Sequence, residues 1–433
     1  MQTSKDIYKN AGLPRNTPYV TIEGLEPQLY KLIMSSGSNA QTIVDYIVSV
    51  RNEISTSYSY ERNNIKALAY LSKFHSNKKF KAMIKDDILS FLSSYRKSEN
   101  SDPLHGWIAT YNLYIVILGR FFKWLYHPNL SPKERPKPSC VEIPKLRRKE
   151  QSVYKPTDMW SQEDDLLFFK YCSSKRDRCY HAISRDSSCR PHELLKLKIK
   201  DLVFKLVGDR QYAEILVNGK TGQRHIPLIN SIPYLKDWLD DHPQSGNANA
   251  FLICGFNKSL GRQLRIESIN HTYAKYKNEI FPKLLDDPNV PHEDKRKIGE
   301  LLKKPWNPYV RRHSALTEKS KILKESILRQ HAGWSSNSNM HLKYVHYFGN
   351  ESSESILEAY GLKPKLEDIN RLKPLSCPNC GELNKIDSKF CVKCRMVLSY
   401  DAYTEAIEES EVQRSRIDRI EDKMKRLEAK YGR

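Results

Sequence analysis

The sequence predicts a mainly α-helical chain with one small antiparallel β-sheet, arranged as a helical domain, an α+β domain, a compact cysteine module and a charged C-terminal helix. Three observations predict it. Apolar residues recur three and four apart from about residue 60 to 126, again to about 200, and again from about 264 to 362. Between the last two of these blocks, "LVFKLVGDRQYAEILVNGKTGQRHIPL" reads as short strands broken by "GD" and "NGKTG" turns. Near the end, "CPNCGELNKIDSKFCVKC" sets two CxxC pairs ten residues apart.

The chain has 433 residues, enough for two or more domains with cores of their own. Its net charge of +21, from 72 Lys and Arg against 51 Asp and Glu, favours a polyanionic partner, most often nucleic acid. Aromatic residues at 10% and apolar residues at 39% exclude a disordered polyelectrolyte. No apolar run approaches the ~18 residues of a membrane span. The start, "MQTSKDIYKN", has no apolar h-region, so no secretory leader is expected. Without export, nine cysteines point to metal binding and burial rather than disulfides.

Residues 1–54 are a mixed N-terminal segment, and the helical domain is expected at 55–130. Its first helix, "ERNNIKALAYLSKF", puts Ile65, Leu68, Leu71 and Phe74 near one face. In "DDILSFLSSYRK", Ile88, Phe91, Leu92 and Tyr95 follow the same spacing. "WIATYNLYIVILGRFFKWLYHP" carries the period through Tyr111, Tyr114, Ile115, Leu118, Phe122 and Leu125, and stops at Pro128. Residues 131–155 form a basic linker; four prolines and a net charge of +4 within 131–150 suit either a strap along a phosphate backbone or a solvated connection.

The second domain is expected over 156–362 and opens on a capping box, Ser161 with Asp164. In "SRDSSCRPHELLKLKIKDL", Arg190 precedes a helix that starts with Pro191, and Glu193 stands one turn on, able to orient an arginine. "VNGKTGQRHIPL" places Lys220 at a hairpin tip. "NPYVRRHSALTEK" starts a helix at Pro308, with Tyr309 three residues before Arg312 on one face and His313 next to Arg312. "QHAGWSS" carries Trp334 after a glycine, and "NMHLKYVHYFG" crowds Tyr344 and Tyr347 with two histidines and a lysine. Each of these motifs alone reads as surface or packing.

Taken in order, Arg190, Lys220, Tyr309-x-x-Arg312-His313, Gly333-Trp334 and Tyr344 resemble the tyrosine recombinase (phage integrase) family. "CRPHELLKL" looks like its first arginine box, "GKTGQRHIPL" like its β-hairpin lysine, and "RRHSALTE…AGWSS…KYVH" like its second box. The resemblance covers roughly residues 55–362, making 55–130 the core-binding domain and 156–362 the catalytic domain.

It implies a site-specific recombinase acting on double-stranded attachment sites, with Tyr344 rather than Tyr347 as nucleophile. Arg190 and Arg312 would grip the non-bridging oxygens, Lys220 would protonate the leaving 5′-oxygen, His313 and Trp334 would hydrogen-bond the phosphate or support the pocket, and Glu193 would support it by orienting an arginine. The product would be a 3′-phosphotyrosine, made without ATP or a metal cofactor in the chemical step. Tyr309 departs from the family's usual His or Lys, which leaves its role as a base open, and Trp334 stands where many members have His. The resemblance also implies a homo-tetramer on DNA in a cytoplasmic, nucleoid-associated setting, and alternatives of the same fold are a Xer-type chromosome dimer resolvase, a non-catalytic DNA-binding protein and a type IB topoisomerase.

Cys377, Cys380, Cys391 and Cys394 fill all four corners of a structural Zn²⁺ site, a zinc ribbon over 370–400 as on some archaeal relatives. Cys140, Cys172, Cys179, Cys189 and Cys254 show no pairing and are expected to be buried. The tail 401–433 is a charged helix with Ile417, Ile420, Met424, Leu427 and Tyr431 alternating three and four apart, either a short coiled-coil seam or a face packed on its own protein.

Overall fold

The computed structural model describes residues 25–147, 154–208, 210–219, 221–347, 360, 370–399 and part of 402–425. The chain divides into two compact units, 1–153 and 154–433.

The first unit is all helix: α1 (Pro27–Met34), α2 (Ala40–Glu53), α3 (Tyr58–Phe74), α4 (Lys85–Ser93) and α5 (Trp107–Tyr126). Ile65, Leu68 and Leu71 of α3, Phe91 and Leu92 of α4 and Leu118 and Phe122 of α5 point inward and are buried, as the 3.6-residue period requires. Phe74 keeps the expected face but is 47% exposed, because it is the last residue of α3 and overhangs the core. Two helices the periodicity did not announce, α1 and α2, supply Tyr30, Ile33, Tyr46 and Ile47 to the same core. Tyr46 meets Phe121 edge-on at 5.2 Å, and Phe80 meets Phe121 at 4.8 Å. The proline-rich stretch after α5 is part of this unit. Arg135 is buried and pairs with Glu53, while Cys140, Val141 and Ile143 pack into the core.

The second unit sets helices around a three-stranded sheet and carries a two-stranded one in its cysteine module. It runs α6 (Gln162–Tyr171), α7 (Lys175–Ser187), α8 (Pro191–Leu194), β1 (Leu202–Val207), β2 (Arg210–Gly219), β3 (Gly222–Leu228), α9 (Ile232–Asp240), α10 (Ile266–Lys275), α11 (Phe281–Asp286), α12 (His292–Lys303), α13 (Pro308–Ile322), α14 (Glu325–Ala332) and α15 (Met340–Tyr347). The strands form an antiparallel meander in the order β1-β2-β3. Ala213, Ile215 and Val217 of β2 and Ile226 and Leu228 of β3 are all fully buried, the inward half of a period of two. Gly208, at φ +56°, turns β1 into β2, and Gly219 pairs with Gly222 across a two-residue turn between β2 and β3. The expected capping box forms: Ser161 accepts from the Asp164 amide, and Asp164 accepts from the Ser161 amide at 2.7 Å. Two short strands, β4 (Leu375–Ser376) and β5 (Leu383–Asn384), pair within the cysteine module.

Among the described residues, no helix is long and apolar enough to cross a membrane.

Candidate active site

The site gathers around the C-terminus of α14. A helix end leaves its last carbonyls without intrahelical partners and carries partial negative charge. Here three guanidiniums take the last three. Arg224 of β3 donates to the His331 carbonyl at 3.2 Å, Arg312 of α13 to the Ala332 carbonyl at 2.8 Å, and Arg190 to the Gly333 carbonyl at 3.0 Å. Gly333 ends the helix with φ +64°, and a Cβ there would lie 2.6 Å from an Arg224 nitrogen, so both conformation and space require glycine.

Each arginine is held a second time. Arg312 donates to the Ser188 carbonyl at 2.6 Å; Ser188 adopts φ +53° at the end of α7, which aims that carbonyl away from its helix. Glu193, on the short helix α8, accepts from the Arg190 side chain at 2.9 Å and from Arg224 at 2.7 Å. Burial pushes the Glu193 pKa up, but the Arg224 and Arg190 contacts outweigh it and hold the carboxyl down at about 2. Burial lowers the Arg312 pKa to about 10, which still leaves it protonated at neutral pH. The cluster thus sets three arginines against one carboxylate and keeps an excess of positive charge in a partly desolvated place.

Tyr344 comes to the same spot on α15. It is 1% exposed and meets two rings, Trp334 at 5.4 Å and 25° and His313 at 5.8 Å and 28°. Its hydroxyl is 2.9 Å from His313 Nδ1. Arg329 of α14 donates to His341 Nδ1 of α15 at 3.2 Å, and to the Ser336 carbonyl in the connection between the two helices at 2.9 Å.

Of the residues singled out in the sequence, the structure brings together Arg190, Glu193, Arg312, His313, Trp334 and Tyr344. Tyr309, in the first turn of α13, is 42% exposed, and among the described residues its phenol hydrogen-bonds to none of these groups. Lys220 lies outside the described residues, as does the Tyr347 side chain. Arg224 was not singled out. Its sequence signal is a charge in phase with Ile226 and Leu228, on the inward half of the strand's period of two, where a guanidinium needs buried partners.

The four cysteines of the second candidate site also converge, with all sulfurs within 4.8 Å of one another. Cys377 and Cys394 are 3.5 Å apart, and Cys380 and Cys391 are 3.6 Å apart. Tetrahedral Zn–S bonds of ~2.3 Å would space sulfurs by about 3.8 Å, so the set fits such an ion. Each CxxC is a knuckle closed by a left-handed residue four positions after its first cysteine, Gly381 at φ +70° and Arg395 at φ +62°. The module is seated on the second unit: Lys385 pairs with Asp237 of α9 at 2.5 Å, Glu382 pairs with Lys236, and Leu372 enters the core. The other five cysteines are buried.

No family model matches the chain, and no curated protein matches it. Among solved structures, the chain is similar to the XerH site-specific recombinase bound to palindromic difH substrate, at 19% identity over 78% of this chain and 98% of that one, with a TM-score of 0.48. It is also similar to a lambda integrase dimer bound to a COC′ core site, at 14% identity over 79% and 86%, with a TM-score of 0.47. A third similar structure is the Tn1549 transposon integrase with transposon right end DNA, at 13% identity over 74% and 98%, again with a TM-score of 0.47.

Proposed function

We propose that this chain is a tyrosine recombinase: a site-specific DNA strand transferase that cleaves and rejoins duplex DNA through a 3′-phosphotyrosine. The observation that carries the reading is the convergence of a tyrosine hydroxyl with two guanidiniums that are not neutralised one for one by carboxylates. A phosphodiester is anionic, and attack on it concentrates further charge on its non-bridging oxygens. Arg190 and Arg312 present forked donors for those oxygens. Their carbonyl and Glu193 contacts hold them in place beforehand, so little reorganisation accompanies the reaction.

In the cleavage step Tyr344 Oη bonds to phosphorus, the P–O5′ bond breaks, and the departing oxygen takes a proton from Lys220. Trp334 packs the nucleophile. Tyr309, exposed on the first turn of α13, serves as a hydrogen-bond donor toward the DNA backbone. One phosphoester replaces another, so religation needs no ATP. The guanidiniums carry the charge stabilisation, and no metal is assigned to the chemical step. The four cysteines would hold zinc, which would fasten the module's two knuckles together.

A homo-tetramer on DNA fits the tail. Ile417, Ile420 and Met424 are each more than half exposed, so this face is not packed on the described part of its own chain. In a parallel pair of such helices Arg416 would stand across from Glu421, Glu409 from Arg414, and Lys423 from Glu428, three pairs of opposite charge.

The test is a pool of nicked suicide duplexes of randomised sequence, incubated without metal or ATP and searched for SDS-stable protein–DNA adducts. The wild-type chain should form them. Tyr344→Phe should form none while still binding DNA, and Tyr347→Phe should keep them. Adducts that persist in Tyr344→Phe would sink the assignment.

A further inference from the structure

We infer that His313 is the general base that takes the proton from Tyr344, a role that rests on the strand-transfer reading above and extends it. A phenol ordinarily titrates near ~10, so at neutral pH it attacks phosphorus only as its proton leaves. Something within hydrogen-bond reach has to receive that proton.

His313 Nδ1 is 2.9 Å from Tyr344 Oη, with the two rings 28° from parallel and their centroids 5.8 Å apart. The position comes directly from the chain. His313 follows Arg312 on α13, so the helix that delivers a phosphate-gripping guanidinium also delivers the imidazole next to it. Among the described residues the ring meets Tyr344 from α15 and Tyr154, whose ring centroid is 5.2 Å away, with Arg312 adjacent in the chain.

Tyr309 does not offer an equivalent. It is a phenol itself, 42% exposed, and makes no described contact with Tyr344. The chemistry at that position therefore has to come from elsewhere, and His313 is the imidazole within reach. In cleavage the proton passes from Oη to Nδ1 as the O–P bond forms and P–O5′ breaks. In religation the imidazolium returns it to Oη as the phosphotyrosine bond opens. This requires the neutral ring to carry its hydrogen on Nε2 at rest.

Two measurements test this on the full chain. ¹⁵N-histidine NMR of the DNA-free protein should show His313 Nδ1 unprotonated, and a proton on Nδ1 at neutral pH would overturn the role. Single-turnover adduct formation should then be followed against pH, using a duplex recovered from the randomised pool. The wild-type rate should fall on the acid side, where a protonated imidazole can no longer take up the Tyr344 proton. His313→Gln keeps a hydrogen-bonding side chain but cannot take up a proton, so it should lose on the order of 10²-fold in rate and lose that acid limb. His313→Ala should regain rate with added imidazole.

A His313→Gln variant with wild-type rate and pH profile would mean that the residue only positions Tyr344. If the wild-type chain forms no adduct with any duplex, the strand-transfer reading falls and this role with it. If it does form one and the variant is unaffected, only the base assignment falls.

Discussion

Arg311 and Arg312 are neighbours on one helix, yet they meet opposite surroundings. Arg311 is fully buried, lies over the Trp160 ring at 4.8 Å and pairs with Asp165. Arg185 reaches the same carboxylate at 2.9 Å and also pairs with Glu318, so two arginines meet two carboxylates. His181 Nε2 donates to Asp165 at 2.8 Å, since an ionised carboxylate can only accept, and its Nδ1 accepts from the Tyr273 hydroxyl at 3.0 Å. The inner cluster is charge-balanced and closed. Among the described residues Arg312, one residue on, hydrogen-bonds backbone carbonyls alone and shares its cluster with one carboxylate for three arginines. Balanced charge ties helices together; unbalanced charge leaves room for an anion.

The largest expected break in this comparison is functional. Arg312→Lys keeps one charge but loses the fork, and adduct formation should drop on the order of 10³-fold, about 4 kcal/mol of transition-state stabilisation. Its thermal midpoint should move by only a few degrees. Arg311→Met should do the reverse. It leaves Asp165 short of a partner in a dry interior and should cost about 3 kcal/mol of stability by chemical denaturation, with the rate per folded molecule within about tenfold of wild type. If the two variants showed the same pattern, the distinction between the clusters would be false.

Next in size is Gly333→Ala. A Cβ at positive φ that also crowds Arg224 should cost about 1–2 kcal/mol and slow adduct formation about tenfold, because the carbonyl that holds Arg190 shifts with it. The acid response should separate the clusters further. Burial and the nearby Arg311 lower the His181 pKa to about 3. A depressed folded-state pKa means that the unfolded chain binds the extra proton first, so this stabilisation is complete above pH ~6.5 and declines as pH falls toward 3. Glu193, also depressed, to about 2, loses its share only below pH ~4.5. Denaturant titrations at pH 7, 6 and 5 should therefore show a loss that His181→Asn reduces and Glu193→Gln leaves in place. The smallest effect on chemistry should come from a chelator. Metal removal should lower the melting temperature through the module seated on α9, while the adduct rate of still-folded protein stays within about twofold.

Much of the site was legible in the chain, because its residues sit beside local signals: Arg190 before a proline-started helix, Trp334 after a helix-ending glycine, four cysteines in two knuckles. Helix periodicity found the buried face of α3 to α5 but not α1 and α2, whose apolar residues lie among serines and asparagines. Composition also read 131–150 as a linker, and no local pattern told that Arg135 would find Glu53 from 82 positions away.

By itself the sequence determined the helical and strand periods, the turn glycines, the paired cysteine spacing and which side chains could take part in chemistry, since these depend on contacts within a few residues. Only the tertiary structure decided that Arg224 joins the site, that Arg311 is sealed against Asp165 while Arg312 meets backbone carbonyls, and that the Tyr344 hydroxyl rests on His313. The physical reason is the same in each case. Whether a charge is balanced or left available depends on which carboxylates and carbonyls the folded chain brings within about 3 Å, and those come from residues tens to more than a hundred positions apart.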